Sequence, residues 1–372
     1  MINCRRQDHI YLLCIICTGF MLLTSIFNII YIVQRSLSNN ISEYTQTSTS
    51  SSSMKQNILL NKSEAILVKK KDDHFEKIYQ TFLHSFIQNY LTIAETRNLS
   101  LTYCPPVPPD LQGPLKVNEV PKKFSITTNS SYYTNVDIGG SYQPKTCLAR
   151  HKVAIIVPYR DRWDILTHFL YHTHQILQRQ QLDYRIYVCE QAFDKTFNKG
   201  IVMNGCFKEI LKLQPNVHCF IMHDVDLLSI DDRNMYTCPT YPRHLSVAID
   251  KFHFYLPYAT LVGGVLAMRR EHYLLVNGYS TNYWGWGGED DDMHARIINK
   301  HLKVERPPAS VARYKMLKHT HQKLNPARMK VLRTAHIRID SDGVNNVKYK
   351  LLNTTFYHLY THFLIDVGEQ PK

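Results

Sequence analysis

Charged residues are missing from one long stretch near the N-terminus of this sequence. From Ile10 to Val33 the chain carries no charged side chain over 24 residues. In an α-helix, which rises roughly 1.5 Å per residue, a run of that length spans the hydrocarbon layer of a membrane. Arg5 and Arg6 precede the run and Arg35 follows it. This modest bias predicts a cytoplasmic N-terminus and a translocated remainder.

We therefore expect a cytoplasmic tail at 1–9, a transmembrane signal anchor at 10–33, a stem at 34–103 and a globular domain at 104–372. A cleaved signal peptide is the alternative. The run is long for the apolar part of such a peptide, however, and it lacks an obvious small-residue cleavage site. In either case the bulk of the chain faces an oxidising lumen.

Acidic residues are scarce beside basic ones, with 31 Asp and Glu against 44 Lys and Arg and a formal net charge of +13. In a soluble protein such an excess would favour nucleic-acid binding. The predicted membrane span instead places the domain in a lumen, so no nucleic-acid partner is expected.

The cysteines beyond the predicted span lack the Cys-x-x-Cys spacing of zinc sites, which favours disulfides over a bound metal. These cysteines, whose pairing the sequence leaves open, are Cys104, Cys147, Cys189, Cys206, Cys219 and Cys238. N-glycosylation sequons agree with a lumenal location and occur at Asn40, Asn61, Asn98, Asn129 and Asn353.

The stem contains two contrasting segments. Residues 45–53 are almost wholly Ser and Thr, too polar to bury a core. Residues 74–91 carry aromatic side chains at steps of three and four, which predicts an amphipathic helix. We expect that helix to pack on the neighbouring domain, and a homodimer formed through the stem is the alternative.

Predicted strands and helices alternate in the globular domain. Strands are expected at 152–157, 184–189 and 219–222, and helices at 163–180 and 198–213. Such alternation predicts an α/β fold with a parallel sheet and helices on its faces. Ligands of open sheets bind beyond the carboxyl ends of the strands.

Two charged motifs fall at those predicted strand ends. Asp224 and Asp226 follow the third strand, and their spacing can direct both carboxylates to one side. An acid-x-acid pair suits Mg²⁺ or Mn²⁺ that also holds phosphate oxygens, and an Asp-rich turn is the plain alternative. Arg160 and Arg162 follow the first strand, where their guanidinium groups suit a diphosphate.

The most distinctive stretch is WGWGGEDDD at 284–292. Its glycines allow close approach of the backbone to a ligand, and its tryptophans offer apolar faces to a sugar ring. Its carboxylates precede a predicted helix, where the dipole favours negative charge. A capped helix after a glycine loop is the plain alternative.

Together these motifs indicate an enzyme that binds a metal–diphosphate and a sugar. From about Cys104 to Gly368 the sequence resembles the β-1,4-galactosyltransferase family, glycosyltransferase family 7. The resemblance rests on HKVAIIVPYRDR, FNKG, HDVDLL, PRHLSVAIDKF, LPY followed by VGGV, NYWGWGGEDDD, KMLKH, RTAH, SDGVNN and IDVG. It implies a GT-A type fold, a Golgi single-pass type II membrane protein and inverting transfer from a uridine-diphosphate sugar to a GlcNAc-terminated glycan.

The resemblance also implies residue roles. Asp290 would be the general base with Glu289 beside it, and Mn²⁺ would be bound by Asp226, Met316 and His319. The donor would be bound by Pro158, Tyr159, Arg160, Arg162, Asp224, Val225, Lys251, Leu261, Gly264 and Gly288. The acceptor would be bound by Tyr258, Trp286, Asp290, Asp291, Arg328 and Met329. The implied disulfides are Cys104–Cys147 and Cys219–Cys238, which would leave Cys189 and Cys206 free.

Two positions depart from the family pattern. Lys199 replaces a family arginine, so the nucleotide contact at this position loses its planar guanidinium. Leu261 stands where galactose-specific members carry Tyr, and family members with an aliphatic residue there transfer N-acetylgalactosamine. The sequence therefore predicts UDP-GalNAc as donor, with UDP-Gal as the alternative.

The sequence also bears on two alternative functions, a non-catalytic sugar-binding protein and a galactosyltransferase that acts on xylose. A non-catalytic sugar-binding protein could lose Asp290 or a metal ligand, but both are present. A galactosyltransferase acting on xylose would usually carry a basic residue where Gly288 stands. Residues 317–332 are polar and basic, which suits a mobile lid over the donor.

Overall fold

The structure is a computed structural model and describes residues 101–127, 131–319 and 324–371. The strands are β1 (Ser141–Tyr142), β2 (Lys152–Tyr159), β3 (Asp183–Gln191), β4 (Cys219–His223), β5 (Leu227–Ser229), β6 (Arg243–His244), β7 (Ala248–Ile249), β8 (Val265–Arg269), β9 (Arg313–Met316), β10 (Lys350–Phe356) and β11 (Thr361–Asp366). The helices are α1 (Trp163–Arg179), α2 (Lys199–Leu213), α3 (Arg270–Leu275), α4 (Glu289–Asn299), α5 (Arg328–Arg333) and α6 (Ala335–Arg338).

The main sheet has the strand order β10-β11-β3-β2-β4-β8-β6, with β1 also paired to β3. Its centre is parallel, because β2 pairs in parallel with both β3 and β4, and β11 pairs in parallel with β3. The prediction of a parallel sheet is therefore right for the centre and wrong for the edges. β8 runs antiparallel to β4, and Val265 at the start of β8 stands opposite His223 at the end of β4.

The sheet separates two hydrophobic clusters, and the alternation of β2 shows why. Val153, Ile155 and Val157 face the cluster that contains the buried residues of α1, such as Phe169. The residues between them, such as Ile156, face the cluster that contains the buried residues of α2. Side chains of a strand alternate between the two faces, so one apolar run supplies both layers.

The helices predicted at 163–180 and 198–213 agree with the structure to within one residue. α1 ends at Arg179, one residue before the predicted end. α2 begins at Lys199, because Asn198 is its N-cap and the Asn198 side-chain oxygen accepts from the backbone N–H of Ile201 at 2.9 Å. A capping side chain of this type satisfies a backbone donor that the first turn leaves unpaired.

A second, small sheet lies beyond the end of β4, in the order β5-β9-β7. β5 pairs antiparallel with β9, and Leu227 stands opposite Met316. The backbone N–H of Leu317 donates to the carbonyl oxygen of Asp226 at 2.8 Å. This sheet therefore brings the residues near 316–319 to the aspartates that follow β4.

Disulfides join Cys104 to Cys147 and Cys219 to Cys238, as expected. The expectation that Cys189 and Cys206 stay free is wrong, because the structure joins them as a third pair. Cys189 is on β3 and Cys206 on α2, and both are fully buried in the same cluster. The packing of this helix on the sheet places their Cα atoms 6.1 Å apart.

Among the described residues, no helix has both the length and the apolar content needed to cross a membrane. The predicted anchor, the stem helix at 74–91 and the sequons at Asn40, Asn61, Asn98 and Asn129 lie outside the described residues. Asn353 is exposed on β10, where its side-chain amide donates to Thr355 Oγ1 at 3.1 Å.

Candidate active site

A cavity of about 360 Å³ lies at the carboxyl edge of the parallel strands. It collects most of the predicted site residues, namely Pro158, Arg160, Arg162, Asp224, Val225, Asp226, Tyr258, Leu261, Trp286, Gly288, Glu289, Asp290, Asp291, His319 and Arg328. These residues come from six separate sequence segments. The sheet edge and the small sheet bring them together, as expected of an open α/β fold.

One end of the cavity has ligand groups suited to a divalent cation. Asp226 Oδ2 lies 3.2 Å from His319 Nδ1, and both side chains are largely buried. Burial raises the pKa of the Asp226 carboxyl, and the neighbouring Asp224 raises it further. A cation bound here would favour the ionised carboxylate, because opposite charge stabilises that form.

The residues at this end fit Mn²⁺ in part. Carboxylate and imidazole groups suit a metal of this kind, and Asp226 and His319 supply one of each. Met316 on β9 is half-buried beside them, but a thioether is a soft and unusual ligand for Mn²⁺. Within 101–127, 131–319 and 324–371, no three His, Cys, Asp or Glu residues are grouped to hold a metal ion.

The opposite end of the cavity is formed by the first turn of α4. This helix begins after Gly288, whose φ of 97° lies in the left-handed region that favours glycine. Asp290 Oδ2 packs on Gly263, where a Cβ atom would lie only 2.4 Å away. Tyr258 donates from its hydroxyl to Asp291 Oδ1 at 3.1 Å. The glycines therefore allow a carboxylate-rich helix start to face the cavity.

Asp290 has the pKa expected of a base that works near neutral pH. Burial raises the pKa of its carboxyl to about 7, with Glu289 and Asp224 raising it and Lys199 lowering it. A base is most effective when its pKa lies near the working pH. Like-charged neighbours in a buried cluster are a common way to reach such a value.

Lys199 contacts the carboxylates at this end of the cavity. Its Nζ lies 3.0 Å from Asp224 Oδ1, 3.3 Å from Asp290 Oδ1 and 3.5 Å from Glu289 Oε1. Burial alone would lower the pKa of the ammonium group, but the three carboxylates outweigh it and raise that pKa well above its usual range. The residue is therefore charged, and it contacts the carboxylate cluster.

Five predicted residues do not line this cavity. Tyr159 lines a different cavity, and Lys251 is exposed on the turn after β7. Gly264 lies behind the wall, where its carbonyl accepts from the backbone N–H of Asp224 at 2.9 Å. Met316 is on β9, and Met329 is 51% exposed on α5.

Sequence reasoning missed two contacts of this cavity. Phe197 lines it, and the Arg160 guanidinium lies 5.4 Å from the Phe197 ring centre. Gly263, which was not among the predicted site residues, carries the close approach of Asp290, whereas the neighbouring Gly264 was the predicted donor contact. The sequence shows two adjacent glycines, which indicate a close approach of the backbone to another group. Only the structure shows which of the two faces the Asp290 carboxylate.

The described part of the predicted lid contacts the tryptophan loop. The backbone N–H of Asn325 donates to the carbonyl oxygen of Trp286 at 3.1 Å. Arg328 packs on Gly287, with its Cδ atom 3.2 Å from where a Cβ atom would stand. This segment therefore lies against the tryptophan loop of the cavity, on the side predicted to bind the acceptor.

Comparisons with known proteins agree with this architecture. The profile for the N-terminal region of glycosyl transferase group 7 matches residues 104–239, and that for the N-terminal domain of galactosyltransferase matches residues 243–320. Mouse β-1,4-galactosyltransferase 1 is 44% identical over 277 residues, which cover 73% of this chain and 68% of the mouse protein. The human protein of the same name is 42% identical over 280 residues, covering 74% and 70%.

Two solved structures of a related enzyme also match this chain in fold. The catalytic domain of Drosophila β-1,4-galactosyltransferase 7 in complex with xylobiose matches with a TM-score of 0.51 and 30% identity, over 59% of this chain and 94% of that one. A mutant of the same Drosophila enzyme, in complex with manganese, UDP-Gal and xylobiose, matches over the same shares with a TM-score of 0.50.

The fold and the site thus define an enzyme of the glycosyltransferase class, one that transfers a hexose from a UDP-sugar. More narrowly, the chain belongs to the β-1,4-galactosyltransferase family, group 7 of the glycosyltransferases.

Proposed function

We propose that this protein transfers a galactose-type sugar from a UDP donor, in β-1,4 linkage, to a terminal GlcNAc of a glycan. The observation that carries the proposal is the position of Asp290. Its carboxylate lies in one cavity with the Asp226–His319 pair at one end and the Trp286 indole on the acceptor side.

Asp290 is placed to act as the general base. The acceptor hydroxyl gives its proton to the carboxylate while its oxygen bonds to the anomeric carbon of the donor. The bond from that carbon to the diphosphate oxygen breaks on the opposite face, so the product is inverted. A carboxyl with a pKa of about 7 is half ionised at that pH and becomes fully ionised for this step as the pH rises.

We propose Mn²⁺ as the cofactor, held by Asp226 and His319 with Met316 as the third ligand. Its support is the carboxylate–imidazole pair here and the manganese named in the related Drosophila complex. The bound cation supplies positive charge to the leaving diphosphate. Arg160 and Arg162 add guanidinium donors along the same wall.

Two donors are candidates, and different observations favour them. The relatives are named galactosyltransferases, and one related complex contains UDP-Gal, so the comparisons support UDP-Gal better. The specific observation for UDP-GalNAc is Leu261, which lines the same cavity as Asp290 and Trp286. Leucine is shorter than the tyrosine of the galactose-specific pattern and presents an apolar wall to an acetyl methyl group.

The position of Leu261 is fixed by its backbone. Its carbonyl accepts from the Arg306 guanidinium at 3.0 Å, and its N–H donates to the carbonyl oxygen of Tyr258 at 3.2 Å. Burying one methyl group is worth about 1 kcal/mol and a clash costs about 1–3 kcal/mol. Together these effects are large enough to change which donor is preferred.

We also propose that the protein is a Golgi type II membrane protein anchored by residues 10–33. The support is the uncharged run, the sequons and the disulfide-bonded lumenal domain. The xylose acceptor suggested by the Drosophila complex with xylobiose is the second acceptor to test.

The test is a donor and acceptor panel on the full-length chain purified in detergent. UDP-Gal, UDP-GalNAc, UDP-Glc and UDP-GlcNAc are each offered with Mn²⁺ and either a GlcNAc or a xylose glycoside, and NMR assigns the product linkage. We expect a β-1,4 product on GlcNAc with UDP-Gal or UDP-GalNAc. Transfer only to xylose, an α-linked product or no transfer would overturn the proposal.

A further inference from the structure

A second cavity, of about 470 Å³, shares a wall with the catalytic one. The shared wall is formed by the end of β2 and the loop that follows it. Pro158, Arg160 and Arg162 line the catalytic cavity, whereas the alternate residues of this segment, Tyr159 and Asp161, line the second one. This volume falls within the roughly 300–1,000 Å³ of small-molecule sites.

Aromatic side chains form much of the second cavity. Trp163 stands at its rim and is 51% exposed, which is unusual for so large an apolar side chain at the start of a helix. Tyr357 and Tyr360, in the turn between β10 and β11, stack with ring centres 4.8 Å apart. Leu166 and Val188 are buried and form an apolar floor.

The polar groups of this cavity are acidic or neutral. Glu190 on β3 lies 2.7 Å from His362 on β11, as an oxygen–nitrogen pair. Asp161 adds a second carboxylate from the loop. No Lys or Arg side chain is among the described residues that line the cavity. An anion such as a phosphate or a nucleotide therefore finds no counter-charge here.

Two ligand classes remain, neutral saccharides and organic cations. A cation site needs ring faces turned toward the ligand on several sides. Here Tyr357 and Tyr360 each use one ring face on the other, which leaves Trp163 as the half-exposed platform. One platform beside carboxylate, imidazole and phenol groups suits a sugar ring, which has an apolar face and hydroxyls around its edge.

We propose that this second cavity is an accessory binding site for a neutral saccharide, with Trp163 as the stacking platform and Glu190, His362 and Asp161 as hydroxyl partners. This second site contains none of the residues that we propose for catalysis or metal binding. Saccharide binding there does not depend on which donor the enzyme uses. Because the two cavities share the loop after β2, a sugar bound here would contact the back of the segment that carries Arg160 and Arg162.

The test measures saccharide binding by calorimetry in the full-length Trp286→Ala variant. This substitution removes the tryptophan of the catalytic cavity, so that a saccharide cannot stack on it there. Chitotriose and mannotriose are titrated as probes, without UDP-sugar or metal. We expect at least one of them to bind this variant, and Trp163→Ala added to it to weaken that binding by about tenfold or more. Glu190→Gln, which keeps the shape of the side chain, is expected to weaken it less.

The matched control is Phe193→Ala, which removes another exposed aromatic side chain that lines neither cavity. It should leave saccharide binding unchanged. Far-ultraviolet circular dichroism checks that each variant is folded, and Glu190→Gln keeps the test valid if Trp163→Ala unfolds the domain. The proposal is overturned if neither saccharide binds Trp286→Ala, if Trp163→Ala and Glu190→Gln both leave binding intact, or if tetramethylammonium binds there and the saccharides do not.

Discussion

The two ends of the catalytic cavity differ in the charge that they present. The donor end combines Arg160 and Arg162 with the Asp226–His319 pair, which suits a metal ion and a diphosphate. The base end is acidic, and Lys199 is the cation within salt-bridge distance of its carboxylates. One end is therefore suited to hold an anion, and the other to hold neutral sugars and accept a proton.

The departure from the family pattern at Lys199 falls beside the acidic end. A guanidinium at this position was expected to contact the nucleotide. The ammonium of Lys199 instead lies within 3.5 Å of the carboxylates of Asp224, Glu289 and Asp290. A compact point charge suits such a cluster because it has no planar geometry to satisfy. Lys199 therefore contacts the carboxylate proposed as the base and lowers its pKa.

The largest effect should come from removing the metal at the donor end. Activity is expected to be lost in excess chelator and restored by Mn²⁺, because the diphosphate then lacks its counter-charge. Asp226→Asn should weaken Mn²⁺ binding in calorimetry and lose most activity. Asp340→Asn, an exposed aspartate paired with Lys300, is the control and should behave as wild type. Full turnover in chelator with no metal bound would contradict the assignment.

The next largest effect is expected at the base end. Asp290→Asn keeps the size of the side chain but cannot take a proton, so kcat should fall by roughly a hundredfold or more. Initial rates at saturating donor and acceptor measure this effect. If the variant turns over at a near wild-type rate, the base must be Glu289 or Asp291 instead.

A smaller effect should come from the donor pocket. Leu261→Tyr is expected to lower the ratio of kcat/KM for UDP-GalNAc over UDP-Gal by about tenfold, which corresponds to the loss of space for one acetyl group. Leu275→Tyr, at an exposed position on α3, is the control for a general effect of tyrosine. A ratio that the substitution leaves unmoved would show that Leu261 does not select the donor.

The smallest effect is a shift along the pH axis. Because Asp290 must be ionised, kcat/KM for the acceptor should fall about tenfold per pH unit below pH 7, the pKa of its carboxyl. Lys199 lowers that pKa, so Lys199→Met should move the acidic limb to higher pH. Lys212→Met, which removes an exposed lysine from α2, should not. If the acidic limb of the Lys199→Met profile stays at the wild-type pH, Lys199 does not influence the pKa of the base.

The predictable part of the fold is the part whose side chains follow a simple period. The runs at 152–157 and 219–222 gave the central strands, and helix α1 followed from its apolar face. The small sheet escaped prediction because β5, β7 and β9 have only two to four residues each. Strands that short carry too few side chains to show an alternation.

The site was predictable in its residues but not in its contacts. The motifs named most of the residues that line the cavity, because each motif stands at the end of a strand or the start of a helix. The sequence could not show that Lys199 contacts Asp290, that Gly263 faces it, or that Cys189 meets Cys206. Those contacts depend on how α2 and the glycine turn pack, which is a property of the tertiary structure.

The most direct test of the central claim separates the two ends by one binding measurement. UDP with Mn²⁺ is titrated calorimetrically into the full-length wild type, Asp226→Asn and Asp290→Asn. The account predicts that Asp226→Asn loses UDP affinity by about tenfold or more. Asp290→Asn should bind UDP as the wild type does while failing to turn over. Equal loss of UDP binding in both variants would contradict the division of the cavity into a donor end and a base end.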